Sequence, residues 1–185
     1  MFYPSLYELY QKRKESVMRP IVEDAFLPFS AALLIDMQSK FVGLWKSVDL
    51  GKLVGNQAKV IRYCAALDIP LVVLEYKNRG ATLAALQKEI RRVPRVLELL
   101  KCDDNGFSNP RLHKMLQQFG AKTLLLMGIN ASHCVRRTAL GAVRRHYSVL
   151  TAENLIVDSP NLIQRCYTAR WCKKNGVLLL EKYSV

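Results

Sequence analysis

The sequence predicts an α/β fold: a three-layer, doubly wound parallel sheet with helices on both faces. Three observations predict it. Strand-sized runs such as Ala31-Ala32-Leu33-Leu34-Ile35 are apolar without alternation, as in strands buried on both faces. Stretches with apolar residues at helical spacing separate these runs. The connections are only a few residues long, with no internal repeat and no second-domain linker.

Taken in order, residues 1–29 form an N-terminal segment ahead of a main domain spanning 30–185. Ser5 can cap a short helix from Leu6 to Glu15, and Pro20 and Pro28 mark the connection that follows. The first strand ends at Asp36, and residues 37–42 read as a loop. A helix is expected over Leu50 to Leu67, with Leu53, Val54, Ala58, Ile61 and Ala65 on one side. A second strand runs from Pro70 to Tyr76, and a helix from Thr82 to Arg92. Residues 93–100 are extended and deliver Lys101, and Cys102 to Pro110 is a polar loop. A helix over Arg111 to Phe119 is closed by Gly120. A strand from Thr123 to Met127 leads into a helix over Cys134 to Arg145. A strand Ser148 to Ala152, a helix Pro160 to Lys174 and a last strand Val177 to Leu180 complete the chain. Strand order 3-2-1-4-5-6 is the arrangement expected for such a sheet.

The chain has 185 residues, half of them apolar, which suits one domain with a full core. No apolar run reaches the length of a membrane span. Residues Met1 to Glu15 are aromatic first and basic afterwards, the wrong order for a secretory signal. Five cysteines without a C-x-x-C pair argue against a disulfide framework and for a reducing, cytoplasmic setting. The formal charge of +13 raises attraction to nucleic acid or acidic partners, although no single basic cluster is a long tract.

Ligands in open α/β sheets bind at the carboxyl ends of strands, where strand order reverses. There the expected order brings together Asp36, after the first strand, and Cys134, after the fourth. Lys101 arrives at the end of an extended segment and can reach the same crevice. A thiol at a helix N-terminus feels free N–H groups and the positive end of the dipole, which favour thiolate. The ordinary alternative for Cys134 is a small apolar filler, and for Lys101 a surface lysine. As a set, the carboxylate takes the thiol proton and the ammonium steadies the resulting anions. His133 points away from its neighbour at a helix start and has at most a minor role. Gln38 and Phe41 are either walls beside Asp36 or loop and core anchors. Tyr76 and Asn78 follow the second strand and can line the same crevice. Trp45 and Trp171 read as packing residues.

These residues resemble the isochorismatase-like cysteine hydrolase superfamily over about residues 30 to 180. Three blocks carry the likeness. The first is Leu33-Leu34-Ile35-Asp36-Met37-Gln38-Ser39-Lys40-Phe41, similar to a strand ending in D-x-Q-x-x-F. The second is Lys101 followed by Asn105-Gly106-Phe107 and Leu112, similar to a K-x-x-x-S-A-F loop and its helix. The third runs from Gly128 to Asp158 through Cys134-Val135 and Thr138-Ala139. The resemblance implies Asp36 as base, Lys101 as the cationic member and Cys134 as nucleophile. It also implies a cis peptide at Ile129-Asn130, with the N–H groups of Asn130 and Cys134 as an oxyanion hole. The substrate pocket would draw on Gln38, Phe41, Tyr76 and Phe107. The implied reaction is hydrolysis of a small amide or related C–N bond through a thioester, in a homo-oligomer.

The departures narrow this reading. Metal-dependent nicotinamidases of this superfamily carry two His after the second strand, and here no His precedes His113. No metal and no cofactor are therefore expected. Ala131 replaces the usual Thr, with Ser132 beside it. Asn105-Gly106 replaces Ser-Ala, and His146 stands where Gly is common. A competing reading is a catalytically weak or inactive scaffold whose basic surface binds nucleic acid or an acidic partner. An activated Cys134 is expected to react with iodoacetamide ahead of the other four cysteines.

Overall fold

The computed structural model describes residues 28–42, 47–157, 170–180 and 182–184. The helix expected over Leu6 to Glu15, Trp45, Asp158 and most of the helix expected from Pro160 lie outside them.

Seven parallel strands form one sheet: β1 (Ala31–Ile35), β2 (Leu71–Tyr76), β3 (Val96–Lys101), β4 (Thr123–Ile129), β5 (Ser148–Ala152), β6 (Ile156–Val157) and β7 (Leu178–Leu180). The order is β3-β2-β1-β4-β5-β7, with β6 paired to the far end of β4. This is the expected order, and its sixth member is the seventh in chain count. β6 has two residues, too few to show a period, so no pattern in the sequence announces it.

The apolar runs form strands because both of their faces are covered. Ala32 and Leu34 of β1 join one core with Leu71, Val73, Leu125 and Met127; Ala31, Leu33 and Ile35 join the other with Val72, Leu74, Leu124 and Leu126. Alternate side chains leave opposite faces of a strand, so burial of both sets needs two helical layers. Over the first core lie α2 (Ser47–Ala66), through Leu53, Val60 and Ile61, and α3 (Ala84–Ile90), through Leu86 and Ile90. Over the second lie α4 (Pro110–Gln118), through Leu112 and Leu116, and α5 (Arg136–Val143), through Ala139 and Ala142.

Local chemistry sets the helix ends. Asn109 accepts a hydrogen bond from Arg111 N at 3.0 Å, and Pro110 opens α4 with its missing N–H among the groups that need no helical partner. Residues 37–42 are not all loop: Ser39–Val42 makes one helical turn, α1. The helix expected from Cys134 onward instead begins as a π-helical turn over Ala131–Val135, and α5 follows it. Asn130 O causes this by accepting from both His133 N and Val135 N, at 3.1 Å each. His146, standing where a glycine was expected, has φ 64°, the left-handed region that favours glycine.

Candidate active site

β1 ends beside β2 and β4, and Asp36 follows it with φ 54°. A non-glycine residue there is strained, a condition that clusters at functional sites. Asp36 N donates to Leu74 O at 2.9 Å, so strand pairing continues while the chain turns. The carboxyl is 1% exposed. Lys101 is the last residue of β3, and its Nζ lies 2.8 Å from Asp36 Oδ2, with the lysine side chain fully buried. The same ammonium donates to Asp103 O at 3.1 Å and sits 4.5 Å from the centre of the Tyr76 ring. A carboxylate, a carbonyl and an aromatic face thus replace its water.

Cys134 lies in the π-helical turn after β4 and is 3% exposed. Its Sγ donates to Asp104 Oδ1 at 3.4 Å, and the thiol also interacts electrostatically with Asp36. Neither Asp36 oxygen has a well-aligned hydrogen-bond partner among the described residues. Burial pushes the Asp36 carboxyl above its ordinary range; Lys101 and the thiol pull it partly back, and Asp104 opposes them. Burial also pushes the Cys134 thiol well up, and the negative charge of Asp36 adds to that while Lys101 works against it.

Burial and neighbouring negative charge therefore oppose the helix terminus at this thiol. A helix dipole is worth about 0.3–1 kcal/mol, up to about 2 in favourable partly buried sites. Full burial shifts a pKa by as much as about 3–5 units, and here two carboxylates add to it. Burial and the two carboxylates raise the thiol's hold on its proton, next to a carboxyl whose own affinity for protons is raised. Cys102 is exposed, whereas Cys64, Cys134 and Cys172 are buried free thiols. Burial pushes Cys64 up to about 12 and Cys172 up to about 11.

Asp104 is the residue the sequence reading missed. It stands in a polar loop without periodicity, and its distance of 30 positions from Cys134 leaves no signal. Thr138 holds that loop: its Oγ1 accepts from Gly106 N at 2.9 Å and donates to Asp104 O at 3.4 Å. A Cβ on Gly106 would lie 2.5 Å from Leu74 Cδ1, so the loop packs here in a space fitted to glycine. Removing the Asp104 charge with Asp104→Asn is expected to let Cys134 ionise at lower pH. Mass-resolved iodoacetamide labelling of Cys134 across pH 6–10 should show its rate curve displaced toward acid. An unmoved curve would mean that the two side chains are not coupled.

The remaining expected site residues divide. Tyr76 belongs to the site through the Lys101 contact, and its hydroxyl donates to Cys102 O at 2.9 Å. Phe41 stands one ring further out, edge-on to Tyr76 at 6.1 Å. Gln38 anchors the loop. It is fully buried, its amide nitrogen donates to Tyr76 O and Gly80 O, and its oxygen accepts from Tyr76 N at 2.7 Å. Both amide hydrogens are used on backbone, so none is left for a ligand. Phe107 is likewise committed to packing, stacked on Tyr147 at 6.1 Å with Arg145 over its ring. Asn130 is half-buried, follows a cis Ile129–Asn130 peptide, and spends its carbonyl on the turn. His133 is exposed.

Among the described residues no group of three or more His, Cys, Asp or Glu side chains is arranged to hold a metal ion. The segment after β2 reads Lys77-Asn78-Arg79-Gly80, which contains no His, Cys, Asp or Glu that could ligate zinc. No described helix is long and apolar enough to cross a membrane.

The isochorismatase domain pattern matches residues 30–165, which include Asp36, Lys101 and Cys134. The chain belongs to the isochorismatase domain family. This isochorismatase-family chain is 25% identical over 134 residues to streptothricin hydrolase of Streptomyces noursei. That match covers 68% of this chain and 53% of the relative, so the chain spans about half the length of that protein. Its fold is similar to N-carbamoylsarcosine amidase of Thermoplasma acidophilum, with TM-score 0.70, 21% identity, and 84% and 97% of the two chains covered. It is also similar to the YcaC gene product of Escherichia coli, an octameric hydrolase of unknown specificity. That comparison has TM-score 0.72 and 18% identity, with 85% of this chain and 79% of that one covered.

Proposed function

We propose that the protein is a cysteine hydrolase that cleaves a small amide or related C–N bond through a thioester on Cys134. The observation that carries the reading is the buried convergence of Asp36, Lys101 and the Cys134 thiol, with Nζ and Oδ2 at 2.8 Å. The amidase and hydrolase relatives agree with it. No metal enters the reading, because the segment after β2 lacks the necessary histidines.

In this reaction Asp36 takes the thiol proton as sulfur attacks the carbonyl carbon. A carboxyl with raised proton affinity suits that task. The N–H groups of Asn130 and Cys134 receive the charge that develops on oxygen. Lys101 stays fixed against Asp36 and keeps the carboxylate in place before and after it carries the proton. The protonated Asp36 then gives its proton to the leaving amine, and the C–N bond breaks to leave a thioester. Water, deprotonated by Asp36, attacks the thioester; the acid leaves and sulfur regains its proton. Assembly into a symmetric oligomer is part of the same proposal.

The test is a screen of small carboxamides and ureido compounds with ammonia release as the readout. Cys134→Ala is expected to reduce any release to background, at least ~10³-fold, as loss of a nucleophile does. The variant should keep the wild-type circular dichroism spectrum. Release that survives this substitution would remove Cys134 from the mechanism.

A further inference from the structure

The reaction at Asp36, Lys101 and Cys134 does not use the chain's excess positive charge, and the fold shows where much of it goes. Between Asp104 and Glu153 the sequence has no acidic residue and seven Lys or Arg. That run contains α4 and α5, which cover the same face of the sheet. Residues 170–174 lie on this face too, since Trp171 and Cys172 pack into the same core. Arg111, Lys114, Arg137, Arg144, Arg145 and Lys174 are all exposed on this layer. The opposite layer is mixed, and Arg62 and Arg92 there both pair with Glu89.

We infer that the α4–α5 face binds nucleic acid through its phosphate backbone, without reading base sequence. Charge complementarity is the first reason: the described helices α4 and α5 carry basic but no acidic residues, and such a surface gains affinity by releasing counterions from phosphates. The second is composition. Four of these six side chains are Arg, whose planar fork matches phosphate oxygens in pairs. A bilayer is the poorer fit, because membrane-surface helices also insert apolar side chains. Among the described residues the exposed large apolar ones are Leu67, Leu100 and Leu178, none of them on α4 or α5.

Contacts also join α4 to the chain that follows α5. His113 Nδ1 and Tyr147 OH are 3.0 Å apart, and Phe107 stacks on Tyr147 beneath the Arg145 guanidinium. Basic groups mounted on such a frame lose less freedom when they bind than groups on a loose tail.

The test uses the full chain and a fluorescein-labelled 20-base-pair DNA duplex of random sequence, read by anisotropy. Six phosphate contacts predict a slope of log K against log salt near about −5, hence ~10³-fold weaker binding at 200 mM than at 50 mM salt. Arg137→Glu with Arg144→Glu and Lys174→Glu is expected to weaken binding at least tenfold and to flatten the slope by about 3. The control is Lys52→Glu with Lys59→Glu and Lys88→Glu, the same change in net charge on the opposite layer, expected to change affinity by under threefold. Should charge reversal upset folding, the corresponding Gln triples are expected to preserve the order of the two faces. Equal loss in both triples would reduce the effect to net charge and overturn the assignment of a face. Binding to phosphatidylserine vesicles without binding to the duplex would overturn the choice of partner. Cys134→Ala is expected to leave binding unchanged, which separates this inference from the hydrolase reading.

Discussion

Lys101→Met is expected to destabilise the protein by about 3–5 kcal/mol at pH 7, the range for removing one partner of a buried ion pair. Methionine fills similar space, so the loss is one of charge. The lysine side chain is fully buried and Asp36 is 1% exposed, so water cannot replace the ammonium. Asp36 then keeps the effect of burial and loses the two Lys101 contributions that lower its pKa, so it rises further. The direction of the pH dependence follows. Below about pH 4 both folded and unfolded forms hold the Asp36 proton, and the variant carries little ionic penalty. Above it the unfolded chain ionises while the folded site resists, so stability falls as pH rises toward the folded pKa. Urea melts from pH 4 to pH 8 should therefore show the gap from wild type narrowing toward acid. Adding Asp36→Asn should restore at least half of the loss at pH 7, since it removes the stranded charge. A double variant no more stable than Lys101→Met would show that packing, and not the ion pair, set the cost.

Gly128→Ala is expected to cost at least ~3 kcal/mol, in the class of backbone strain plus overpacking. Gly128 has φ +140°, and a Cβ built there would lie 2.1 Å from Ile35 O and 2.8 Å from Ile35 N. These are backbone atoms of β1, so no side chain can swing aside to make room. The closeness has a structural purpose. Gly128 pairs with Ile35 on one side and Ile156 on the other, one residue before Asp36 and a few before the turn that holds Cys134. Prising β1 from β4 at this point also separates the carboxyl from the thiol. Gly55 in α2 is the contrast: nothing lies within 4 Å of its added Cβ, and Gly55→Ala should gain about 0.5–1 kcal/mol. Chemical melts of the two variants should move in opposite directions, and a tolerated Gly128→Ala would mean that β1 and β4 can part without loss.

Much of this arrangement was legible in the residues. Runs such as Leu33-Leu34-Ile35 and Leu124-Leu125-Leu126 became central parallel strands because only a doubly covered strand buries every side chain. The shared order of Asp36, Lys101 and Cys134 with a known family pointed to the end of β1, where the three side chains converge. Gln38 and Phe107 were harder. Gln38 follows Asp36 by two positions and Phe107 follows Lys101 by six, yet contact follows side-chain direction, and theirs lead to backbone and to packing. The π-helical turn was hidden because its cause is one carbonyl, Asn130 O, with two donors.

The sequence by itself determined the layers, the strand order and the three residues that meet at the centre of the sheet. It did so because burial is periodic and the topology of parallel sheets has few solutions. Only the tertiary structure decided the burial of the three side chains and the presence of Asp104 beside the thiol. Both depend on distances of a few ångströms between residues far apart in the chain, which no local pattern encodes.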